Sequence, residues 1–415
     1  MFEIYRPEKD ATIYEYAKKV NSGIDEILEL NTDSDSDQNY GASRVLIKFP
    51  EVDDSFNSFV DGGSNVFVSY GYETVNRNPA GSSTDTDPNI FNVKIEDLIE
   101  QSQNGEVNTF AFYGQRLAGK REPKNPTPEP EVDDTRNPSA WLRLWFANGM
   151  GLPKKYTIEA LPVQEPWTER RGRESNDPPT REPVNWIERT RSEDWQEEGG
   201  DFDLTPRSAE KFVGEDPDVS MDVNAVMSED LEHGILLRRK DESFNRKTEL
   251  KFFSSNTRTI YVPQLLVGRD TYTRNTEGAD PVEKENFTAY VTDLKNLYSP
   301  TKTRFYVNVK EKYEQRDFLG IRPTEDRQEK SAYLPRRSLT WQIEDVRTGN
   351  VVFPFNEDYS AVSFDGSTHY FDVDLGSLFP KRQYKVLFKY TDPETGATEI
   401  FDHDQRFKVD NGSQL

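Results

Sequence analysis

Short apolar runs alternate with long polar stretches along the chain, and the apolar runs have the length and composition of β-strands. The clearest series lies between Met221 and Val267, where polar loops separate runs rich in branched and aromatic residues at 234–238, 250–254 and 261–267. Apolar runs of about four to eight residues bounded by polar segments are typical of strands buried in a sheet. We therefore expect residues 221–267 to form consecutive strands of a β-sandwich that pair with upstream strands.

Upstream residues supply further candidate strands and one short helix. Residues 44–49 are a strong strand, and 140–146 and 156–163 are two more that the Gly- and Pro-containing turn at 148–153 is predicted to join as a hairpin. The helix is predicted at 93–100, where Ile95, Leu98 and Ile99 fall on one face.

Two polar segments interrupt this series. Residues 51–90 are polar and are predicted to form long loops with a candidate strand at 67–72. Residues 119–139 are rich in proline and charge and are predicted to form an exposed, extended segment. Ordering such long segments costs conformational entropy unless a partner surface holds them. Both segments are therefore candidate docking arms.

After Arg269 the pattern changes to clean alternation. Residues 270–285 are polar, and later runs alternate apolar and polar positions, with turns such as 348–350 and 392–396. The prediction is a mainly β protein. Residues 1–269 form an antiparallel, jelly-roll-like β-sandwich with long loops, 270–285 form a linker, and 286–415 form a smaller Ig-like β-sandwich.

Composition narrows the functional classes. The 415 residues are only 33% hydrophobic but 12% aromatic, which is too aromatic for a disordered chain. A net charge of -23 repels nucleic acid and anionic membranes, so we expect protein or glycan partners. The chain has no cysteine, and we expect neither a signal peptide nor a membrane helix, which together favour a protein made in a cytosol.

Few residues suggest catalytic or metal chemistry. The three histidines, His233, His369 and His403, have no metal-ligand spacing, and a surface-loop role suits His403 between two aspartates better than a triad role. The alternating aspartates at 33–37 resemble a calcium loop but lack its turn glycine and its bidentate glutamate. We therefore predict no catalytic residue, no cofactor and no bound metal.

Tryptophans offer a different chemistry. Trp141 and Trp145 lie next to Leu and Phe on one predicted strand and are expected in the core. Trp167, Trp186 and Trp195 lie in loop-rich sequence, and they are candidates for stacking against sugar rings if their faces are exposed and coplanar.

The order of the N-terminal elements resembles the DNRLRE family of β-sandwich domains over about residues 8 to 268. The similar segments are a strand that looks like Ser-x-Arg-x-Leu-Ile-x-Phe at 43–49, a core strand at 142–144, a segment with Trp-Thr-Glu at 156–169 and a Val-x-Trp element at 184–186. Four closing runs follow in the family's order at 221–224, 233–238, 251–255 and 263–267. The long polar segments depart from the compact members. The family implies a structural or adhesive role and no catalytic residues.

The C-terminal third is similar to the tail end of virion structural proteins of large tailed bacteriophages, through the segments 305–313, 333–335, 351–355 and 384–389. This resemblance implies a non-enzymatic virion component in the neck, the tail or a capsid accessory. Such a protein would be made in the host cytoplasm and would contact other virion proteins in multiple symmetric copies, without nucleic acid or membrane.

Two other functions remain open at this point. One is a glycan-binding module that attaches a particle to a cell surface through Trp167, Trp186 or Trp195. The other is a glycosidase, which would need two carboxylates about 5–10 Å apart in a cleft. Exposed tryptophan rings would favour the first, and buried rings would favour the structural role.

Overall fold

The computed structural model describes most of the chain outside one long stretch and several short ones. The described residues are 1–34, 40–52, 136–175, 182–205, 207–213, 217–227, 232–240, 242, 246–276, 279–282, 287–312 and 332–410. They belong to one compact unit, which comprises residues 1–57 and 136–415. The predicted helix at 93–100, the candidate strand at 67–72 and nearly all of the two candidate arms lie outside the described residues.

The protein is mainly β, and its antiparallel sheets pack as sandwiches, which confirms the predicted fold class. The N-terminal elements are β1 (Phe2–Tyr5), β2 (Lys9–Tyr14), β3 (Ile27–Glu29), β4 (Thr32–Ser34), β5 (Tyr40–Lys48), β6 (Ser139–Leu144), β7 (Phe146–Met150), β8 (Tyr156–Pro162), β9 (Glu188–Thr190), β10 (Glu193–Asp194), β11 (Ser208–Phe212), β12 (Val219–Asp222), α1 (Asn224–Met227), β13 (Ile235–Arg239), β14 (Glu249–Phe253) and β15 (Gln264–Gly268).

Apart from β9 and β10, which pair with each other, these strands form three antiparallel sheets around one core. Sheet 1 has the order β1-β15-β6-β12, sheet 2 has the order β11-β8-β13-β5-β2 with β4 also paired to β5, and sheet 3 has the order β3-β14-β7. The core lies between them and includes Leu142 and Leu265 from sheet 1, Ile47 and Leu237 from sheet 2, and Phe252 from sheet 3. Alternation along each strand delivers these side chains to one face.

The predicted hairpin between residues 140–146 and 156–163 is wrong. β6 pairs with β12 and β15 in sheet 1, whereas β8 pairs with β11 and β13 in sheet 2. Between them β7 leaves to pair with β14 in sheet 3. The two strands therefore approach the same core from opposite sheets, an arrangement that their similar apolar patterns do not distinguish.

The later strands build a second sandwich. They are β16 (Asp280–Pro281), β17 (Phe287–Val291), β18 (Leu297–Tyr298), β19 (Lys302–Glu311), β20 (Ala332–Tyr333), β21 (Leu339–Asp345), β22 (Val351–Phe353), β23 (Ser363–Phe364), β24 (His369–Asp374), a 3-10 helix (Leu375–Ser377), β25 (Gln383–Thr391) and β26 (Thr398–Val409). Sheet 4 has the order β17-β19-β24-β23, and sheet 5 has the order β18-β26-β25-β21-β22. Two short pairings, β16 with β20 and β18 with β26, are parallel.

Sheet 1 is shared by the two sandwiches. Leu265 and Val267 of β15 lie in the N-terminal core, whereas Leu266 lies in the C-terminal core together with Phe2 and Ile4 of β1. A strand that is covered on both faces reads as a continuous apolar run, as the sequence does here. Sheet 1 therefore joins the two sandwiches through hydrophobic side chains on both of its faces.

Polar side chains occupy the outer edges of two sheets. At β2, the Ser22 hydroxyl accepts a hydrogen bond from Thr12 N (2.8 Å) and donates one to Thr12 O (2.7 Å). At β17, the Gln405 amide accepts from Val291 N (2.6 Å) and donates to Val291 O (2.7 Å). These contacts occupy backbone groups that another strand would otherwise use.

Among the described residues, no helix is long and apolar enough to cross a bilayer.

Candidate functional site

Trp167, Trp186 and Trp195 lie in a buried layer on the outer face of sheet 2. Their exposed fractions are 3%, 4% and 5%. They belong to the roof segment, which we define as the described residues from 163 to 202, and they pack on sheet residues Ala11, Ile13, Leu46, Leu161 and Leu236. Sheet 2 is thus covered on both faces, which explains the unbroken apolar run in β5.

The indole N–H groups of two of these tryptophans donate hydrogen bonds inside the fold. Trp167 Nε1 donates to His233 O (2.8 Å), and Trp195 Nε1 donates to Asn185 O (3.0 Å). Buried indole rings usually find such partners. These rings therefore do not present the exposed coplanar faces that the glycan-stacking prediction requires, and their contacts are those of core residues.

Cations cover two of these rings. The Lys9 ammonium lies 4.0 Å from the Trp167 ring centroid, and the Arg44 guanidinium lies 4.8 Å from that of Trp186. Arg44 also donates two hydrogen bonds to Glu242 (2.8 and 2.9 Å) and one to Gly199 O (2.8 Å). The cation–π contacts and the bond to Gly199 O hold the roof segment over sheet 2, and the bidentate pair with Glu242 orients the Arg44 guanidinium.

A second ionic group lies beside this layer. Glu159 of β8 is 1% exposed and accepts hydrogen bonds from Arg238 (2.9 and 3.1 Å) and Arg207 (3.3 Å). A buried carboxylate requires such partners because its desolvation is costly. This group is a structural ion network, since its carboxylate oxygens are occupied by guanidinium groups.

One cleft of about 240 Å³ opens on the roof segment. It is lined by Arg170, Glu182, Pro183, Glu188 and Arg191. Glu188 accepts a hydrogen bond from Asn185 Nδ2 (2.9 Å). The lining can bind polar groups through guanidinium and carboxylate hydrogen bonds. Its two carboxylates, Glu182 and Glu188, carry little weight as a catalytic pair, because acidic residues are common in a chain that has 75 of them.

Carboxyl groups attach the start of the roof segment to the body. Glu169 accepts a hydrogen bond from Asp10 N (3.0 Å), and Asp25 accepts one from Glu174 N (2.9 Å). Burial raises the pKa of Asp10 to about 7 and that of Asp25 to about 6, although a hydrogen bond from Ser255 N to Asp10 opposes the first shift. Because the Asp25 carboxyl accepts the bond from Glu174 N, its raised pKa links this contact to pH, whereas the Asp10 carboxyl bonds Ser255 N within the body.

The three histidines lie far apart in the sequence and have separate surroundings. His233 contributes its backbone carbonyl to Trp167, and His403 Nε2 lies 2.8 Å from Thr288 Oγ1. His403 is exposed, as expected, but it lies within strand β26 and not in a loop. His369 is buried at the start of β24, and burial lowers its pKa to about 4.

No group of three or more histidine or acidic side chains among the described residues could hold a metal ion. In the acidic run at 33–37, Asp33 pairs with Lys247 at 2.7 Å, and the following residues 35–37 lie outside the described residues.

Within the described part of the chain, no layer covers the outer face of sheet 4. Five alternate positions of β19 point outward and are exposed, namely Lys302, Arg304, Tyr306, Asn308 and Lys310, and the exposed Lys312 follows directly after the strand. The intervening positions Phe305 and Val307 are buried in the C-terminal core. We name this surface, together with Tyr290 of β17 and Tyr370 and Asp372 of β24, the tyrosine face.

The aromatic groups of this face lie side by side. Tyr306 is 50% exposed and is directly opposite Tyr370 on the neighbouring strand. Asn308 Nδ2 donates to the Tyr290 hydroxyl (3.1 Å), and the Arg304 guanidinium lies 3.9 Å from the Tyr370 ring centroid. The face therefore presents an open ring next to planar polar groups that are already held in place.

Charges on the tyrosine face are largely paired. Arg304 donates two hydrogen bonds to Asp372 (2.8 and 2.9 Å), and Lys302 pairs with Glu3 at 3.0 Å. Lys312 pairs with Glu399. The face is thus close to electrically balanced on a chain whose net charge is -23.

Sequence reasoning selected the tryptophans and missed this face. The signal was present in the strict alternation of β19, where every second residue is charged or polar except Tyr306. It marked a half-exposed strand, but alternation does not tell whether the polar side meets solvent or another layer.

No protein-family model matches this chain, and no curated protein matches it. Two crystal structures of the β-glucuronidase of Parabacteroides merdae, one with glycerol in its active site, are 10% identical to it, with TM-scores of 0.15 and 0.16. The alignments cover 66% and 68% of this chain but only 28% and 29% of the glucuronidase chains. Superpositions this poor relate neither the fold nor the activity of that enzyme to this chain.

Proposed function

We propose that this chain is a non-enzymatic structural component of a tailed-bacteriophage virion, in the neck, the tail or a capsid accessory position. In this proposal it is made in the host cytoplasm and binds other virion proteins in several symmetric copies. The relation of about residues 8 to 268 to DNRLRE sandwiches and of the C-terminal third to phage virion proteins is part of the same proposal.

The observation that carries this proposal is the shared sheet 1. Phe2 of β1 packs against Trp141 of the same sheet and against Trp341, Phe353 and Tyr359 of the C-terminal sandwich, with ring centroids 6.0 to 6.4 Å apart. Aromatic contacts of this kind add to the free energy of hydrophobic burial. A body whose two halves share a hydrophobic layer suits a component that must keep its shape under load.

The occupied sheet edges support the same role. Backbone edges bonded by side chains at β2 and β17 discourage strand addition by other copies. A protein that is crowded at high local concentration in a particle benefits from such protection. The expected contacts with virion neighbours are therefore between side-chain surfaces, while the docking role of residues 51–90 and 119–139 stays a prediction from sequence.

The test is to purify phage particles on a density gradient and to quantify this chain by mass spectrometry against the major capsid protein. We expect a fixed copy number per particle across the peak. Cross-linking of intact particles should then join this chain to other virion proteins. Absence from intact particles, or a copy number that falls with each purification step, would overturn the proposal.

A further inference from the structure

We propose that the tyrosine face binds a neutral polysaccharide that lies along β19. This activity goes beyond the assembly role, and it does not depend on it, because it concerns a surface that the two cores leave open. It also replaces the buried tryptophans as the place where a sugar could bind.

The geometry of β19 favours a chain over a single sugar. The strand runs from Lys302 to Glu311, which at a rise of about 3.3 Å per residue gives a track of roughly 33 Å. Tyr306 and Asn308 lie near its middle. The neighbouring strand β17, about 4.8 Å away, widens the track with Tyr290, whereas Tyr370 of β24 is 8% exposed and lies beneath the Arg304 guanidinium. An extended ligand can therefore contact several side chains at once.

The chemistry of the centre fits sugar rings. A half-exposed aromatic ring can cover the C–H face of a sugar, while hydroxyl and amide groups beside it exchange hydrogen bonds with sugar hydroxyls. Tyr306 supplies the open ring, and Asn308 is held by its bond to Tyr290. The Arg304–Asp372 pair adds a planar polar group that is fixed before any ligand arrives, so little entropy is lost on binding.

Charge decides which partner fits best. Because the cations Lys302, Arg304 and Lys312 are each paired with a carboxylate, the face offers little attraction to an anionic polymer. The rest of a chain with a charge of -23 repels such polymers. Binding of a neutral ligand requires no free cations on the face and is not opposed by the negative net charge.

The same composition disfavours a protein partner. The cores of stable protein interfaces are depleted in Lys and Asp, because desolvating charged groups is costly. Here the Arg304–Asp372 pair occupies the position next to Tyr306 on this face, and the Lys302–Glu3 pair lies further along it. A glycan leaves these charges hydrated and uses water-mediated contacts at their rim.

The test is affinity electrophoresis of the full chain in gels that contain a neutral glucan, a neutral galactomannan or anionic alginate. We expect retardation in at least one neutral gel. Tyr306→Ala should weaken the derived affinity at least tenfold, while Tyr306→Phe keeps most of it. Tyr40→Ala removes a tyrosine of similar exposure (44%) in β5 and should change the affinity less than twofold.

Three results would overturn the proposal. They are no retardation in any neutral gel, equal retardation of the wild type and Tyr306→Ala, and retardation in alginate alone. Light scattering provides a further check, because a dimer that Tyr306→Ala dissociates would assign the face to a second copy of this chain. Unchanged circular dichroism of Tyr306→Ala would show that lost binding is not lost folding.

Discussion

Phe2 of β1 and Phe353 of β22 stack across the boundary between the two sandwiches, with ring centroids 6.0 Å apart and ring planes inclined by 6°. Both side chains are fully buried. The contact joins a strand at one edge of sheet 1 to a strand at one edge of sheet 5, so the first strand of the chain stabilises the C-terminal core.

Truncating this ring should destabilise the whole body. Phe2→Ala removes a fully buried aromatic side chain, for which losses of about 3–5 kcal/mol in the free energy of unfolding are typical. Urea unfolding followed by tryptophan fluorescence measures the change. Ile400→Ala, at a side chain that is 59% exposed, is the control and should stay within about 0.5 kcal/mol. A destabilisation of Phe2→Ala below about 1 kcal/mol would contradict the shared-layer account.

Gly199 should not tolerate a side chain. Its φ is +95°, and an added Cβ would lie 2.6 Å from Trp186 Cζ2 and 2.7 Å from Arg44 Nη1. Gly199→Ala should therefore cost more than the roughly 1–2 kcal/mol of left-handed strain alone. Gly349→Ala is the matched control, because its φ is +73° with no atom within 4 Å of the added Cβ. Equal melting temperatures for the two variants would argue against tight packing of the roof segment.

Neutralising Glu159 should weaken the ion network beside the tryptophan layer. Glu159→Gln leaves the Arg238 and Arg207 contacts without their buried charge, and we expect a loss of about 2–3 kcal/mol. Glu198→Gln removes an exposed partner of Lys18 and should cost at most about 0.5 kcal/mol. Chemical denaturation of both variants gives the comparison, and a network made of surface ion pairs alone would show no difference between them.

The pH dependence of stability should carry a contribution from Asp10. Burial raises its pKa from 3.8 to about 7, so the folded state holds this proton more tightly than the unfolded state. Its contribution is therefore complete below about pH 3.8 and is lost as the pH rises through 7. Between pH 5 and pH 8, the free energy of unfolding of the wild type should therefore fall by about 1–3 kcal/mol more than that of Asp10→Asn. Denaturant titrations at both pH values test this, and a constant difference would refute it.

His369 should act in the opposite direction. Burial lowers its pKa from 6.5 to about 4, so the folded state favours the neutral ring. Its contribution is present above pH 6.5 and is lost as the pH falls through 4. Between pH 7 and pH 4.5, the free energy of unfolding of the wild type should fall by about 1–2 kcal/mol more than that of His369→Gln. The ring's own titration by NMR gives an independent readout, and a midpoint near 6.5 would contradict the buried state.

Local patterns were sufficient to predict the strands but not their partners. The run at 261–267 was expected to be a buried strand, and β15 is the strand Gln264–Gly268, because an unbroken apolar sequence needs cover on both faces. The sequence did not reveal that the second cover is the C-terminal sandwich. The hairpin predicted from 140–163 failed for a related reason, since alternation specifies which face is apolar and not which sheet receives it.

The candidate site was harder to predict than the fold. Tryptophans in Pro- and Gly-rich sequence suggested exposed rings, yet Trp167, Trp186 and Trp195 are covered because the roof segment folds back on sheet 2. Tyr306 could not be predicted as a site residue, because a single tyrosine in an alternating strand is common. Its exposure depends on the absence of a layer over sheet 4 among the described residues, which no local pattern encodes.

The shared sheet also limits how the chain can change. Leu265 and Leu266 are adjacent in sequence, yet they belong to different cores. A slip of β15 by one residue would exchange the two sets of side chains and misfit both sandwiches together. Insertions or deletions that shift the register of β15 should therefore destabilise both hydrophobic cores. Neither half can be replaced by a homologous sandwich unless the replacement reproduces both faces of sheet 1.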